Sequence, residues 1–292
     1  MPPARPPALE DVKVQRHLLA PLGDSVSLLG YSLGRSTARP GEAVHLDLYW
    51  LANAVSKADL RLRLELLAQD GKVWPLLSSR PLGERYPTTR WRTGDIWRGQ
   101  YELLLPATLG PGPHRLVVRL EDIVTGREVG SVHLDEVAVL PRERTFVASP
   151  KNPLAEEFGR QVRLLGYDVT TGGTEISGNS PAVVAPQRID VTVYWQAMAE
   201  VQTGYTVFVQ ALDSGGKLVF QHDGVPGLGI SPTTGWVAGE VVADTHPLDI
   251  PASLPQGDYT IIVGLYDPVS MRRLDLMPGK DFVPLTQLRV SR

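Results

Sequence analysis

The chain has 292 residues, 42% hydrophobic and 21% charged, which is the composition of a soluble globular protein and not of a disordered one. A formal charge of −3 gives no broad positive field for nucleic acid. No run approaches the ~20 apolar residues of a membrane helix, so direct insertion of this chain into a bilayer is not expected, and the absence of cysteine excludes disulfides and thiol chemistry.

Taken in chain order, residues 1–20 form a Pro-rich N-terminal segment. Met1 to Pro7 has no apolar core and does not read as a signal peptide. The first patterned stretch is Leu28-Leu29-Gly30-Tyr31. Val44, Leu46, Leu48 and Trp50 then alternate with His45, Asp47 and Tyr49, the period of a strand with one buried face. Leu60 to Leu67 alternates likewise and ends in Asp70-Gly71, a hairpin turn because glycine supplies positive φ. A turn-rich connection follows through Pro87-Thr88-Thr89-Arg90-Trp91. Residues 141–157, with Pro141, Pro150 and Pro153, read as an extended linker.

The pattern then returns. Tyr49-Trp50 recurs as Tyr194-Trp195, Gly71-Lys72 as Gly216-Lys217, Pro87-Thr88-Thr89 with Trp91 as Pro232-Thr233-Thr234 with Trp236, and Asp122 as Asp267, each 145 residues on. Upstream the offset is 136: Leu28-Leu29-Gly30-Tyr31 matches Leu164-Leu165-Gly166-Tyr167. The second copy thus carries nine extra residues in its first loop, within Thr170 to Pro186. The expected architecture is all-β: two tandem immunoglobulin-like (Greek-key) β-sandwich domains arising from an internal duplication, at 21–140 and 158–292. Leu254-Pro255-Gln256-Gly257-Asp258-Tyr259 looks like the corner before strand F of such sandwiches; the first copy has His114 where the second has Tyr259.

Candidate sites are few. Trp50 and Trp195 lie in phase with the apolar faces of their strands and are expected in the core. Trp91 and Trp236 sit in turns, where an indole either caps the sandwich end or faces a ligand. With Thr88, Thr89, Thr233 and Thr234 beside them they form the candidate glycan-binding set, indole faces for sugar C–H and hydroxyls for sugar hydroxyls. Trp74 and Trp97 are particular to the first copy, where the second has Val219 and Val242; either suits a partner contact or a packed rim. His222, Asp223, Asp244 and His246 form the nearest thing to a polar cluster. Their spacing fits no metal-ligand pattern, and turn capping is the expected role, so no metal and no cofactor are expected. Gly227-Leu228-Gly229 lacks the setting of a phosphate loop. Asp122 and Asp267 each open a hairpin, and no serine occupies a nucleophile elbow, so an enzyme is not expected.

The residues Phe158-Gly159, Leu164 to Asp168, Tyr194 to Ala197, Tyr205 to Val209, Gln221 to Gly224, Pro232 to Thr234 with Trp236, Gly257 to Tyr259 and Gly264 to Asp267 resemble a recurrent bacterial domain. It is the tandem C-terminal soluble region of membrane proteins similar to dolichyl-phosphate-mannose-type glycosyltransferases. The resemblance covers nearly all of the second copy and, more loosely, the first. No catalytic residue carries over. It implies a non-catalytic, extracytoplasmic accessory module of an envelope-associated protein, serving recognition of glycan or another envelope protein, or spacing. The alternatives are an assembly module making protein–protein contacts, with itself included, and a hydrolase with an interdomain site. If the chain is complete as given, a cytoplasmic setting is expected instead.

Overall fold

A computed structural model describes residues 13–176 and 180–291. The chain divides into unit 1, up to Arg142, and unit 2, from Glu143. Unit 1 holds β1 (Arg16–Leu22), β2 (Val26–Leu33), β3 (Thr37–Ala38), β4 (Ala43–Ala52), β5 (Leu60–Ala68), β6 (Val73–Ser79), β7 (Ile96–Leu104), β8 (Gly112–Asp122) and β9 (Glu128–Val139). One sheet runs β1-β2-β4-β7 and the other β3-β9-β8-β5-β6. The chain changes sheet at β2–β3, β3–β4, β4–β5, β6–β7 and β7–β8, and β3 runs parallel to β9. With β2, β4 and β7 as strands A, B and E and β5, β8 and β9 as C, F and G, this is the Greek-key order of an immunoglobulin-like sandwich.

Unit 2 repeats it with β10 (Asn152–Phe158), β11 (Val162–Thr171), β12 (Thr174–Glu175), β13 (Ala182–Val184), β14 (Gln187–Ala197), β15 (Thr206–Leu212), β16 (Leu218–Gly224), β17 (Val241–Ile250), β18 (Gly257–Tyr266) and β19 (Val283–Ser291). Its sheets run β10-β11-β14-β17 and β13-β19-β18-β15-β16, with β12 folding back on β11. β12 and β13 lie in the Thr170–Pro186 loop that carries the nine extra residues; β13 runs parallel to β19 as β3 does to β9, and 177–179 fall outside the described residues.

Each unit has its own core. Val44, Leu46, Leu48 and Trp50 are buried in one; Ile189, Val191, Val193 and Trp195 in the other. The alternation therefore reads the inner face correctly. In unit 1 the outer face is also covered: Tyr49 packs with Leu29 and Ile96, flanked by Val14. Asp47, only 5% exposed, is held by Arg98 at 2.7 Å and His45 at 3.3 Å.

The boundaries differ from those expected. The stretch 141–157 is not simply a linker, and 1–20 is not wholly outside the repeat, because β10 and β1 are matching first strands of the two units. Both are edge strands, and β1 is exposed along most of its length. With only one neighbour and little to bury, such a strand leaves no hydrophobic alternation to read. Its trace is the repeated glycine. An ideal β-carbon on Gly30 would stand 2.2 Å from the Arg16 carbonyl oxygen, and one on Gly166 would stand 2.4 Å from that of Asn152. The register slips at both places, so the edge strand settles against bare backbone. Just ahead of β10, Thr145 bridges to Val241, and Arg144 bonds the Gly235 carbonyl at 3.0 Å and pairs with the buried Glu240.

Candidate functional site

The repeated Pro-Thr-Thr-x-Trp turns are structural. In each copy Pro precedes a single 3-10 turn, Thr88–Arg90 or Thr233–Gly235, and the indole follows. The first threonine ties this turn to the start of strand C. Thr88 Oγ1 donates to the Ala58 carbonyl and accepts from Leu60 N, both at 2.9 Å. Thr233 Oγ1 donates to the Thr203 carbonyl at 2.7 Å and accepts from Tyr205 N at 2.9 Å. Trp91 is 1% exposed and Trp236 0%, with Trp236 Nε1 donating to the Ser231 carbonyl at 3.0 Å. The expected glycan site is corrected here. Neither Trp91 nor Trp236 offers a ring face to a sugar; both plug a core. Thr88 and Thr233 have spent their hydroxyls on backbone, Thr234 is buried, and Thr89 alone of the four is exposed.

What the copies share builds the fold, so what they do not share marks candidate sites. Two differences meet in unit 1. In unit 2 the Tyr259 hydroxyl donates to the Pro255 carbonyl at 2.8 Å and fills the corner. In unit 1 the shorter His114 stands there, buried, with Nδ1 3.0 Å from the Gly112 carbonyl. A carbonyl only accepts, so Nδ1 carries the proton; in the neutral ring Nε2 is then the acceptor. Beside it Trp74 replaces Val219. The two border an open groove of about 410 Å³, lined also by Gln69, Asp70, Lys72 and Thr108. Trp74 is half-buried, with Lys72 Nζ 3.7 Å from its ring centroid. Trp97 is a rim residue, packed edge-on against Tyr86 at 4.9 Å.

Three other differences meet in unit 2, between β16 and β17. Asp244 and His246 are each 1% exposed. Asp244 Oδ1 accepts from Gly227 N at 2.9 Å, and Oδ2 lies 2.8 Å from His246 Nε2. His246 Nδ1 is in turn 3.0 Å from His222 Nδ1. The capping role expected of this cluster is there at Gly227, but it is one end of a hydrogen-bonded chain that spacing along the sequence did not reveal. Burial, then the neighbouring His246, holds His222 below the ordinary histidine pKa. In unit 1 the same places hold Leu77, Gly99 and Tyr101. The Tyr101 hydroxyl occupies the room a β-carbon on Gly99 would need and donates to the Pro81 carbonyl at 2.5 Å. No group of three or more metal-ligating side chains stands together among the described residues. Asp122 and Asp267 are turn caps, accepting from Val124 N and Val269 N at 2.8 and 2.9 Å.

No family model matches the chain, and no curated protein matches it. The likeness to glycosyltransferase-like membrane proteins therefore stands on the residues quoted for it alone. Among solved structures, the C-terminal domain of Wzt is similar at 15% identity and a TM-score of 0.33, covering 47% of this chain and 76% of that one. A membrane-anchored protein of Corynebacterium diphtheriae is similar at 11% identity and a TM-score of 0.24, with 92% of this chain and 59% of that one covered. At such scores neither likeness bears on function. No helix among the described residues is long and apolar enough to cross a membrane.

Proposed function

We propose that the chain is a non-catalytic recognition module that takes up carbohydrate in the unit 1 groove beside Trp74, within an extracytoplasmic, envelope-associated protein. The groove itself supports this reading: Trp74 and His114 line one space, together with Gln69, Asp70, Lys72 and Thr108. A sugar ring offers apolar C–H patches for the indole and hydroxyls for the planar polar groups. The envelope setting rests on the sequence resemblance. Oligosaccharide titrations of the full chain test it, with Trp74→Val and His114→Tyr as variants, since unit 2 already tolerates both residues at the matching places. Binding at a Kd of about 1 mM or tighter, weakened about tenfold in Trp74→Val, is expected. No binding at millimolar sugar, or binding unchanged in both folded variants, overturns the reading.

The assembly reading has one observation of its own. The loop after β16 exposes Val225, Leu228 and Ile230 at 40%, 73% and 61%, where unit 1 has Arg80, Gly83 and Arg85. Three apolar side chains on one short loop are the kind of feature protein–protein contacts use. Sedimentation at rising concentration, with Leu228→Ser and Ile230→Ser as controls, separates this reading from the first.

A further inference from the structure

The geometry between the two imidazoles of unit 2 fixes a proton count. Their centroids are 5.1 Å apart for a nitrogen–nitrogen contact of 3.0 Å, so the two Nδ1 atoms lie close to the line joining the rings and face each other. Only one proton fits between them. At the buried end, an ionised Asp244 only accepts, so His246 Nε2 carries a proton and, in the neutral ring, Nδ1 bears a lone pair. His222 Nδ1 then supplies the proton between the rings, and His222 Nε2 is left as an acceptor. A first extra proton, on His222 Nε2, leaves the chain whole. A second puts N–H against N–H and breaks it.

We propose that this chain makes the β16–β17 seam of unit 2 an acid-responsive closure, which opens when the second proton turns His222 out to water. His246 is enclosed at 1% exposure, whereas His222 is half-buried, so His222 is the ring free to leave. The other charged groups near His222 are Asp244 on β17, Asp223 on its own strand and Arg188 on β14. Asp223 projects to the opposite face of the strand, towards Tyr266 and Arg273. Arg188 adds to the repulsion, and Asp244 retains His246. Opening therefore frees the end of β16 and the Val225 side of the apolar loop, while Gly227 stays tied to Asp244. Unit 1 is the built-in control, because Leu77 and Tyr101 stand at the same seam where unit 2 has the two histidines.

The test is hydrogen exchange on the full chain between about pH 7.5 and about pH 5, corrected for the intrinsic rate. Protection across 218–231 is expected to fall about tenfold more than across the matching 73–86, and His222→Leu, which installs unit 1's residue, is expected to abolish the difference. Should that variant not fold, ring nitrogen shifts of the wild type decide: one protonated and one bare Nδ1 at neutral pH supports the chain, and any other pattern overturns it. Equal protection at both pH values, the same loss in folded His222→Leu, or a divalent ion that raises the melting temperature and is reversed by chelator also overturns it.

Discussion

At the scale of single residues, two neighbouring threonines of one motif divide fold from surface. Thr88 joins two backbone groups from inside the core, whereas Thr89 faces solvent. Thr88→Val leaves the buried Leu60 amide without its side-chain acceptor, while the Ala58 carbonyl keeps Ser56 Oγ, and is expected to cost about 1–3 kcal/mol; Thr89→Val is expected to stay within about 0.5 kcal/mol. Paired urea melts check this, and equal losses would place the latch elsewhere. Trp50 and Trp195 were readable as core because strand alternation assigns them a face. Trp91 and Trp236 were not, because a 3-10 turn has no such period, and only a structure shows which way its indole points.

At the scale of elements, histidines in the two units respond to pH with opposite sign. On the β4–β7 pair, the 2.6 Å hydrogen bond to Glu102 raises the pKa of His45. Its contribution is therefore full below the unfolded histidine value of about 6.5 and is lost as pH rises through the folded value. On the β16–β17 seam, burial lowers the pKa of His222. Its contribution is present above about pH 6.5 and falls away as pH drops below that point, since the unfolded chain then binds a proton the folded one resists. Comparing His45→Asn and His222→Asn with wild type by denaturation across this range should give difference curves of opposite slope; slopes of one sign would refute one assignment. Both histidines were visible in the sequence. The grouping of His222 with His246 was legible too, but not the facing of their ring nitrogens; the Glu102 partner of His45 was not, because it arrives from a strand 57 residues along the chain.

At the scale of the molecule, the duplication was legible because 145-residue spacing holds through the strands that bury side chains. The domain starts were not, because edge strands bury little. Protein beginning at residue 143 keeps β10 and the Arg144 partner of Glu240, which is 2% exposed; protein beginning at 158 loses both. Residues 143–292 are expected to melt cooperatively on their own. Residues 158–292 are expected to lose about 3–5 kcal/mol from breaking the buried Arg144–Glu240 pair. Thermal melts followed by circular dichroism decide, and indistinguishable curves would show that the earlier segment contributes nothing.

The notches at Gly30 and Gly166 also bear on how the chain assembles. Both accept an edge strand through backbone, and neither β1 nor β10 brings much buried side chain to distinguish its own seat from the other. A ribosome removes the ambiguity by order of delivery: β9 is complete, and unit 1 can close around β1, before β10 has emerged. A denatured chain released into buffer has both strands and both seats at once. Its renaturation must sort like from like, a task that synthesis from one end never sets.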